Sequence, residues 1–177
     1  GGRAVSGNAG HNVSATIRPI RLEDAVSFRE TLQTVADERR YILTLSAPPI
    51  ASVRSFLGNN IDRGYPQLVA ELDGKIIGWA DFVPVEQESL LHCASLGMAV
   101  LKPWRGQGIG ERLLDEAICA AIAFGFTRLQ LEVFSNNDAA ISLYKKHGFE
   151  TEGCRRNARH IDGEYFDILM MGRLVNQ

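Results

Sequence analysis

Arg105-Gly106-Gln107-Gly108-Ile109-Gly110 lies between an apolar run that closes at Val100 and a helical pattern that opens at Ile109. A strand, a glycine loop and a helix in that order make an anion site by ordinary physics. Glycine lets the backbone approach phosphate oxygens closely, and a helix N-terminus offers unpaired N–H groups with a favourable dipole. Arg105 adds the capacity for charge-assisted hydrogen bonds. Spacing rejects two common phosphate loops. A P-loop needs a lysine and a hydroxyl after its last glycine, whereas Gly110 is followed by Glu111-Arg112. A dinucleotide fingerprint needs G-x-G-x-x-G, and Glu111 or Leu113 stands where the third glycine would fall.

Downstream of the loop, Ile109, Leu113, Leu114, Ala117, Ile118, Ala121 and Ile122 mark one face of a helix, with Gly125 as its stop. Cys119 is assigned to the same apolar face. From Arg128 to Phe134, Leu129, Leu131 and Val133 alternate with Gln130, Glu132 and Phe134, which predicts a strand with two different faces. Asn136-Asn137-Asp138 supplies capping chemistry for a helix over 139–146, which His147-Gly148 ends. Two further strands are expected near 150–156 and 165–174.

Upstream, Thr16 to Ile20 suits a short strand, and residues 22–40 and 50–61 carry apolar side chains at helical spacing. Residues 67–72 and 75–83 flank Asp73-Gly74, a pair that adopts the positive φ angles of a type I′ turn, so a β-hairpin is predicted. Residues 90–100 complete a further strand. With no internal repeat and no linker, the expectation is one α+β domain over residues 15–177, preceded by a flexible tail or cloning remnant over 1–14.

Composition agrees with a single soluble domain. The chain has 177 residues, 45% of them hydrophobic and 23% charged, enough to bury a core without staples. Its formal net charge is −2, with no long basic run, so nucleic acid is not an expected partner. No apolar stretch reaches the roughly 20 residues of a membrane span, and no membrane association is expected. Three cysteines at wide spacing point to a reducing, cytoplasmic setting. Four histidines stand at no metal-ligand spacing, and no metal is expected.

The loop fits the pattern [R/Q]-x-x-G-x-[G/A], and with it the sequence resembles the GNAT superfamily of coenzyme A-dependent N-acetyltransferases. A second block supports this: Leu131-Glu132-Val133, then Asn137, then Ala139-Ala140-Ile141-Ser142-Leu143-Tyr144-Lys145-Lys146-His147-Gly148-Phe149. The resemblance covers about residues 17–174 and is nearest to small-molecule and amino-acid N-acetyltransferases. It implies a GNAT-like domain, a central mixed but mostly antiparallel sheet flanked by helices on both faces, with acetyl-CoA as cosubstrate. The backbone of Met98, Ala99 and Val100 would pair with the pantetheine arm. Arg105, Gly106, Gln107, Gly108, Ile109 and Gly110 would hold the pyrophosphate. Asn137 would contact the pantetheine region, and Tyr144 would sit beside the sulfur. Glu111 departs from the family's small or basic residue at the helix start, and weakens phosphate binding unless it points away. Similar proteins often form homodimers, so a dimer is a possible state.

Acetyl transfer to an amine needs a neutral nitrogen lone pair, a polarised thioester carbonyl and protonation of the departing thiolate. Tyr144, with a reference pKa of about 10, is the proton donor this reading selects. Glu132 is the leading base, being on the polar face of its strand and five residues before Asn137. Glu71, Asp81 and a water relay are rivals. A β-bulge made easy by Gly97 is expected to turn backbone donors of residues 98–100 toward the carbonyl. Direct transfer is preferred to an acyl-cysteine route through Cys93, Cys119 or Cys154. Residues 36–65 and 159–166 are expected to shape the acceptor site, with Arg39, Arg40 and Tyr41 able to recognise a carboxylate or aromatic edge. A small-molecule amine is the expected acceptor; the alternatives are a protein or peptide amine, or a non-catalytic acyl-CoA-binding module.

Overall fold

The computed structural model describes residues 14–175; the tail expected over 1–14 falls almost wholly outside them. Seven strands form one sheet in the order β1-β2-β3-β4-β5-β7-β6. They are β1 (Thr16–Pro19), β2 (Gln67–Leu72), β3 (Lys75–Pro84), β4 (Cys93–Val100), β5 (Arg128–Phe134), β6 (Glu150–Ile161) and β7 (Glu164–Leu174). Four helices are α1 (Ala25–Asp37), α2 (Ile50–Arg63), α3 (Ile109–Phe124) and α4 (Asp138–Lys146). Every strand pair is antiparallel except β4 with β5. Among the described residues no helix is long and apolar enough to cross a membrane.

Adjacent residues of β3 show why helices cover both faces. Trp79 meets Phe28 of α1 edge-on at 5.5 Å. Gly78, turned to the other face, would place a Cβ 3.2 Å from Leu113 of α3 and 3.0 Å from the Ala99 carbonyl. Alternation of side chains across a strand thus assigns α1 and α3 to opposite sides. The stripe Leu113, Leu114, Ala117 and Ala121 is fully buried, as helical spacing requires. Cys119 is exposed, a correction to its expected core position: it follows Ile118 by one residue, about 100° round the helix and off the buried stripe.

Asp73 and Gly74 have φ of 50° and 76°, the type I′ turn predicted between β2 and β3. Asp162 and Gly163 repeat it at 52° and 82° and join β6 to β7 in a longer hairpin than expected. Residues 90–92, expected to open a strand, precede it: Leu90 ends a 3₁₀ turn over Glu88–Leu90, and β4 starts at Cys93. The β3–β4 register is unbroken from Gly78↔Val100 to Pro84↔Ala94, so the bulge expected beside Gly97 is absent from that pairing. Register shifts fall instead at Ala70/Glu71 in the β2–β3 pair and twice in β6.

Parallel pairing of β4 with β5 lasts three residues: Cys93↔Arg128, Ala94↔Leu129 and Ser95↔Gln130. Gln130 Nε2 donates to Ser95 Oγ at 3.0 Å across the last pair. Beyond it β4 stays with β3 and β5 stays with β7, and the sheet opens. Gly78→Ala is expected to force α3 and β4 off β3 and lower stability by about 1–3 kcal/mol, the usual cost of overpacking; urea unfolding of the variant against the parent checks this.

Candidate active site

A cavity of about 730 Å³ occupies the opening. Its floor is the splayed sheet, including Asp81, Ser95, Gly97, Met98, Gln130, Glu132 and Met170. Its roof is apolar, from Phe28 and Leu32 of α1, Tyr41 to Leu43 of the α1–α2 segment, and Val53 and Phe56 of α2. Asn137 and Tyr144 of α4 close one side.

At one end of β4 stands the glycine loop. Gly106 and Gly108 take φ of 73° and 85°, values that L side chains rarely adopt. Among the described residues, the N–H groups of Gly106 to Gly110 donate to no backbone carbonyl outside the helix ladder, which leaves a row of donors at the α3 N-terminus. A Cβ on Gly110 would meet nothing closer than 3.7 Å, so this last position has room for alanine, as the motif allows. Glu111 turns toward α4, where it meets Lys146 Nζ at 2.6 Å and His147 Nε2 at 3.3 Å. The Lys146 ammonium holds its carboxyl below the usual range, and its charge is partnered. His147 also meets Asp115 at 3.0 Å through Nδ1, so a helix-end histidine without a sequence signature joins two carboxylates across α3 and α4.

Arg105 does something the motif did not suggest. Its Nε donates to the Val100 carbonyl at 2.8 Å, and its Nη1 donates to Glu38 Oε1 at 2.9 Å. Nη2 binds the other Glu38 oxygen, and the guanidinium lies 4.4 Å from the Tyr41 ring centroid. Its backbone N–H is taken by Lys102 O. The free backbone donors of the loop therefore belong to the residues after Arg105, and three of the five guanidinium N–H groups are already engaged.

Leu101 N–H donates to Ile77 O at 2.8 Å. Antiparallel alternation then puts the polar backbone groups of Ala99 toward β3 and those of Leu96 and Met98 into the opening. Of the three residues expected to pair with a pantetheine arm, Met98 has free backbone groups facing the gap, whereas the Val100 carbonyl is held by Arg105.

Tyr144 is buried, edge-on to Phe149 at 6.1 Å, and burial pushes its phenol up to about 12. Among the described residues its hydroxyl has no protein partner, and the residue lines the cavity. Asn137 caps α4, its Oδ1 accepting from Ala140 N–H at 3.3 Å. The cap fixes the helix that carries Tyr144, and the Asn137 amide nitrogen is left over.

The two carboxylates on the floor differ. Glu132 Oε1 is 2.9 Å from Arg155 Nη1, and Arg159 Nη2 stands 3.6 Å from Oε2. Asp81 has no basic partner among the described residues. It lies across from Gly97 in the β3–β4 register, and a Cβ there would come 3.1 Å from Asp81 Oδ1. Burial pushes the Asp81 carboxyl up to about 7, against a hydrogen bond to the Gly97 backbone that lowers it. Arg128 and Glu152, also in the lining, pair with each other at 2.9 Å. Among the described residues, Asp81 is therefore the one charged side chain of the cavity lining without a countercharge. Glu71 is bound by Arg18 at 2.6 Å on β1 and does not line the cavity.

Arg39 and Arg40 do not line it either. Arg39 binds Asp162 at 2.9 Å, and Arg40 lies over the outer ring of Tyr41 at 5.6 Å. Tyr41 is the member of that trio at the cavity. Phe28, Leu32, Phe56, Trp79, Ser95, Gln130 and Met170 were not singled out from sequence, because each owes its place to a contact between distant elements. None of the three cysteines lines the cavity. Cys93 is buried, which pushes its thiol up, and the other two are exposed.

The split between β4 and β5 thus gathers a glycine-capped helix and a buried tyrosine around one cavity. The Acetyltransferase (GNAT) family model matches residues 31–149. An L-amino acid N-acetyltransferase of Escherichia coli K12 is 34% identical over 112 residues, 63% of this chain and 69% of that protein. A GNAT-family acetyltransferase from Streptococcus pneumoniae superposes with a TM-score of 0.85 at 30% identity, covering 92% of this chain and all of the other (100%). A GNAT phosphinothricin acetyltransferase from Sinorhizobium meliloti, solved with acetyl-CoA, has the same fold at TM-score 0.85 and 23% identity, over 92% and 89% of the two chains. The chain belongs to the GNAT acetyltransferase family and is an acyltransferase.

The Asp81 environment has a consequence for stability. A carboxyl that titrates near 7 when folded and near 4 when unfolded binds its proton more tightly in the native state, so stability falls as pH rises from about 4 through 7. Asp81→Asn is expected to melt above the parent at pH 8 and close to it at pH 4, where both side chains are neutral. Thermal unfolding across that range checks the sign.

Proposed function

We propose that this protein transfers the acetyl group of acetyl-CoA directly to the primary amine of a small molecule, an amino acid or similar metabolite. The observation that carries the reading is the opening between β4 and β5, with free backbone donors of a glycine loop at the end of β4 and a cavity lined by Tyr144 and Asp81. The residues fit the cosubstrate: Gly106 to Gly110 offer N–H groups suited to a pyrophosphate, Met98 offers strand-like backbone groups, and Asn137 offers an amide. Bound there, acetyl-CoA supplies the activated thioester.

The remaining chemistry belongs to the chain. Tyr144 keeps its proton at Oη well above neutral pH, so it enters as a donor suited to a departing thiolate. Asp81, titrating near 7, is matched to accept a proton from an acceptor ammonium near neutrality. Glu132, the base favoured by its place in the sequence, has its two carboxylate oxygens facing Arg155 and Arg159; it is better suited to orienting Arg155 at the cavity wall. No cysteine lies where an acyl intermediate would form, in keeping with direct transfer.

The size of the acceptor follows from how the cavity is closed. A peptide would need a groove between the α1–α2 segment and the β6–β7 hairpin. Those two are joined by Arg39 with Asp162, and Leu43 and Leu45 pack on a cluster of Phe134, Ile161 and Ile168 with Phe166. This closure favours a small molecule. The E. coli relative's name supports an amino acid.

Thiol release from acetyl-CoA across a panel of L-amino acids, aralkylamines, polyamines and an N-terminal alanine peptide tests the assignment. Turnover is expected with a small amine and not with the peptide; no release with any acceptor would refute it. Tyr144→Phe should lower kcat by about 10²- to 10⁴-fold with cofactor binding retained. The acid limb of kcat/KM should fall below about pH 7 in the parent, vanish in Asp81→Asn and persist in Glu132→Gln. A limb that survives Asp81→Asn removes Asp81 as the base.

A further inference from the structure

Residues 38–47 run as a strap from the end of α1 over the roof of the cavity, and their contacts account for nearly all of their length. At the far end, Ala47 N–H donates to Gln33 Oε1 at 2.9 Å and Arg29 Nε donates to Pro48 O at 2.7 Å. In the middle, Leu43 and Leu45 pack on the β6–β7 cluster and Arg39, in left-handed conformation at φ 54°, reaches Asp162. At the near end, Glu38 and Tyr41 are held by Arg105. Arg105 opens the glycine loop and also binds the Val100 carbonyl, where β4 ends. One side chain thus touches the loop, the strand edge and the strap.

We propose that Arg105 is a positioning residue that links the two substrate sites, so that acetyl-CoA binding at the glycine loop fixes the Glu38–Tyr41 end of the strap and with it the roof of the acceptor cavity. The inference rests on the acetyl-CoA reading of the loop. The chemistry of the contact suits a coupling. A guanidinium gripping a carboxylate by both nitrogens while stacked on a ring has one geometry, which lysine cannot reproduce. Glu38 and Arg105 are half-buried, with side chains 22% and 27% exposed, so the pair is less screened than a surface ion pair. Movement of Arg105 with its loop must therefore drag or release Glu38 and Tyr41. Linkage makes the effect reciprocal: an acceptor that orders Tyr41 tightens the cofactor site by the same factor. This would give the loop arginine a role besides phosphate binding, since three of its five N–H donors are engaged by Val100 and Glu38.

Hydrogen exchange of the full chain with and without saturating coenzyme A tests this. In the parent, coenzyme A should slow exchange in residues 105–112 and also slow the strap, 38–47, by about fivefold or more, the lower end of ordinary coupling. In Arg105→Leu, coenzyme A should still slow 105–112 while the strap keeps its free rate. Arg105→Lys should restore the strap's response only in part. Glu38→Gln with Tyr41→Leu removes the same contact from the strap side and leaves the loop sequence intact, so it gives the reading if Arg105→Leu does not fold. A strap indifferent to coenzyme A in the parent, or still slowed in both variants, overturns the linkage alone. Coenzyme A slowing neither segment overturns the acetyl-CoA reading and the linkage with it.

Discussion

Leu96 and Leu131 would be the fourth pair of the β4–β5 ladder, and the ladder stops before them. Each strand has a stronger claim on it from the other side. β4 is held by β3 over seven consecutive pairs and β5 by β7 over seven more, and sheet twist rotates those two antiparallel blocks apart. A parallel contact of three residues is all that joins them, pinned by Ser95 and Gln130. The backbone groups released beyond that point need partners, and the gap between the strands leaves them facing the cavity. The cavity, the exposed edge at Met98 and the position of the glycine loop all descend from this one divergence.

Among the described residues, the charged side chains of the opening are paired except for Asp81. Arg128 neutralises Glu152, and Arg155 neutralises Glu132. Asp81 faces Gly97, the one residue type that leaves room for its carboxyl against β4. With apolar roof residues opposite and no cation beside it, burial raises its pKa instead of a partner lowering it. Two carboxylates on one floor thus have different surroundings, one facing two arginines and the other packed without a cation.

Much of this was legible beforehand. Glycine spacing, the Asn137 cap and the Tyr144 helix are local features, encoded within a few residues, and the structure places them as local rules require. The Asp73-Gly74 turn was read the same way; the equal signal at Asp162-Gly163 was present in the sequence and passed over, and with it the length of the last hairpin. The Cys119 assignment failed on a single helical step. What could not be read is everything that depends on a distant partner. Nothing near Arg105 in sequence announces Glu38, 67 residues earlier, and nothing near Asp81 announces that Gly97 will lie across from it. The partners of Glu132 are hidden for the same reason: strand alternation puts Glu132 on the polar face, but the Arg155 and Arg159 that pair with it come from β6 by way of a register shift between them.

That register shift also bears on the acceptor side. Between Arg155 and Arg159 the β6 strand advances four residues while β7 advances two, and Asn157, at φ 50°, ties the excess to Asp167 Oδ1 at 2.8 Å. An uninterrupted ladder would send successive side chains to alternate faces at fixed spacing. The irregularity instead brings two arginines onto one glutamate and carries the hairpin tip, with Asp162, to where Arg39 of the strap can reach it. The same bend that occupies Glu132 therefore also ties the hairpin tip to the strap. The pairing of Glu132 and the anchoring of the strap are two consequences of one irregular strand.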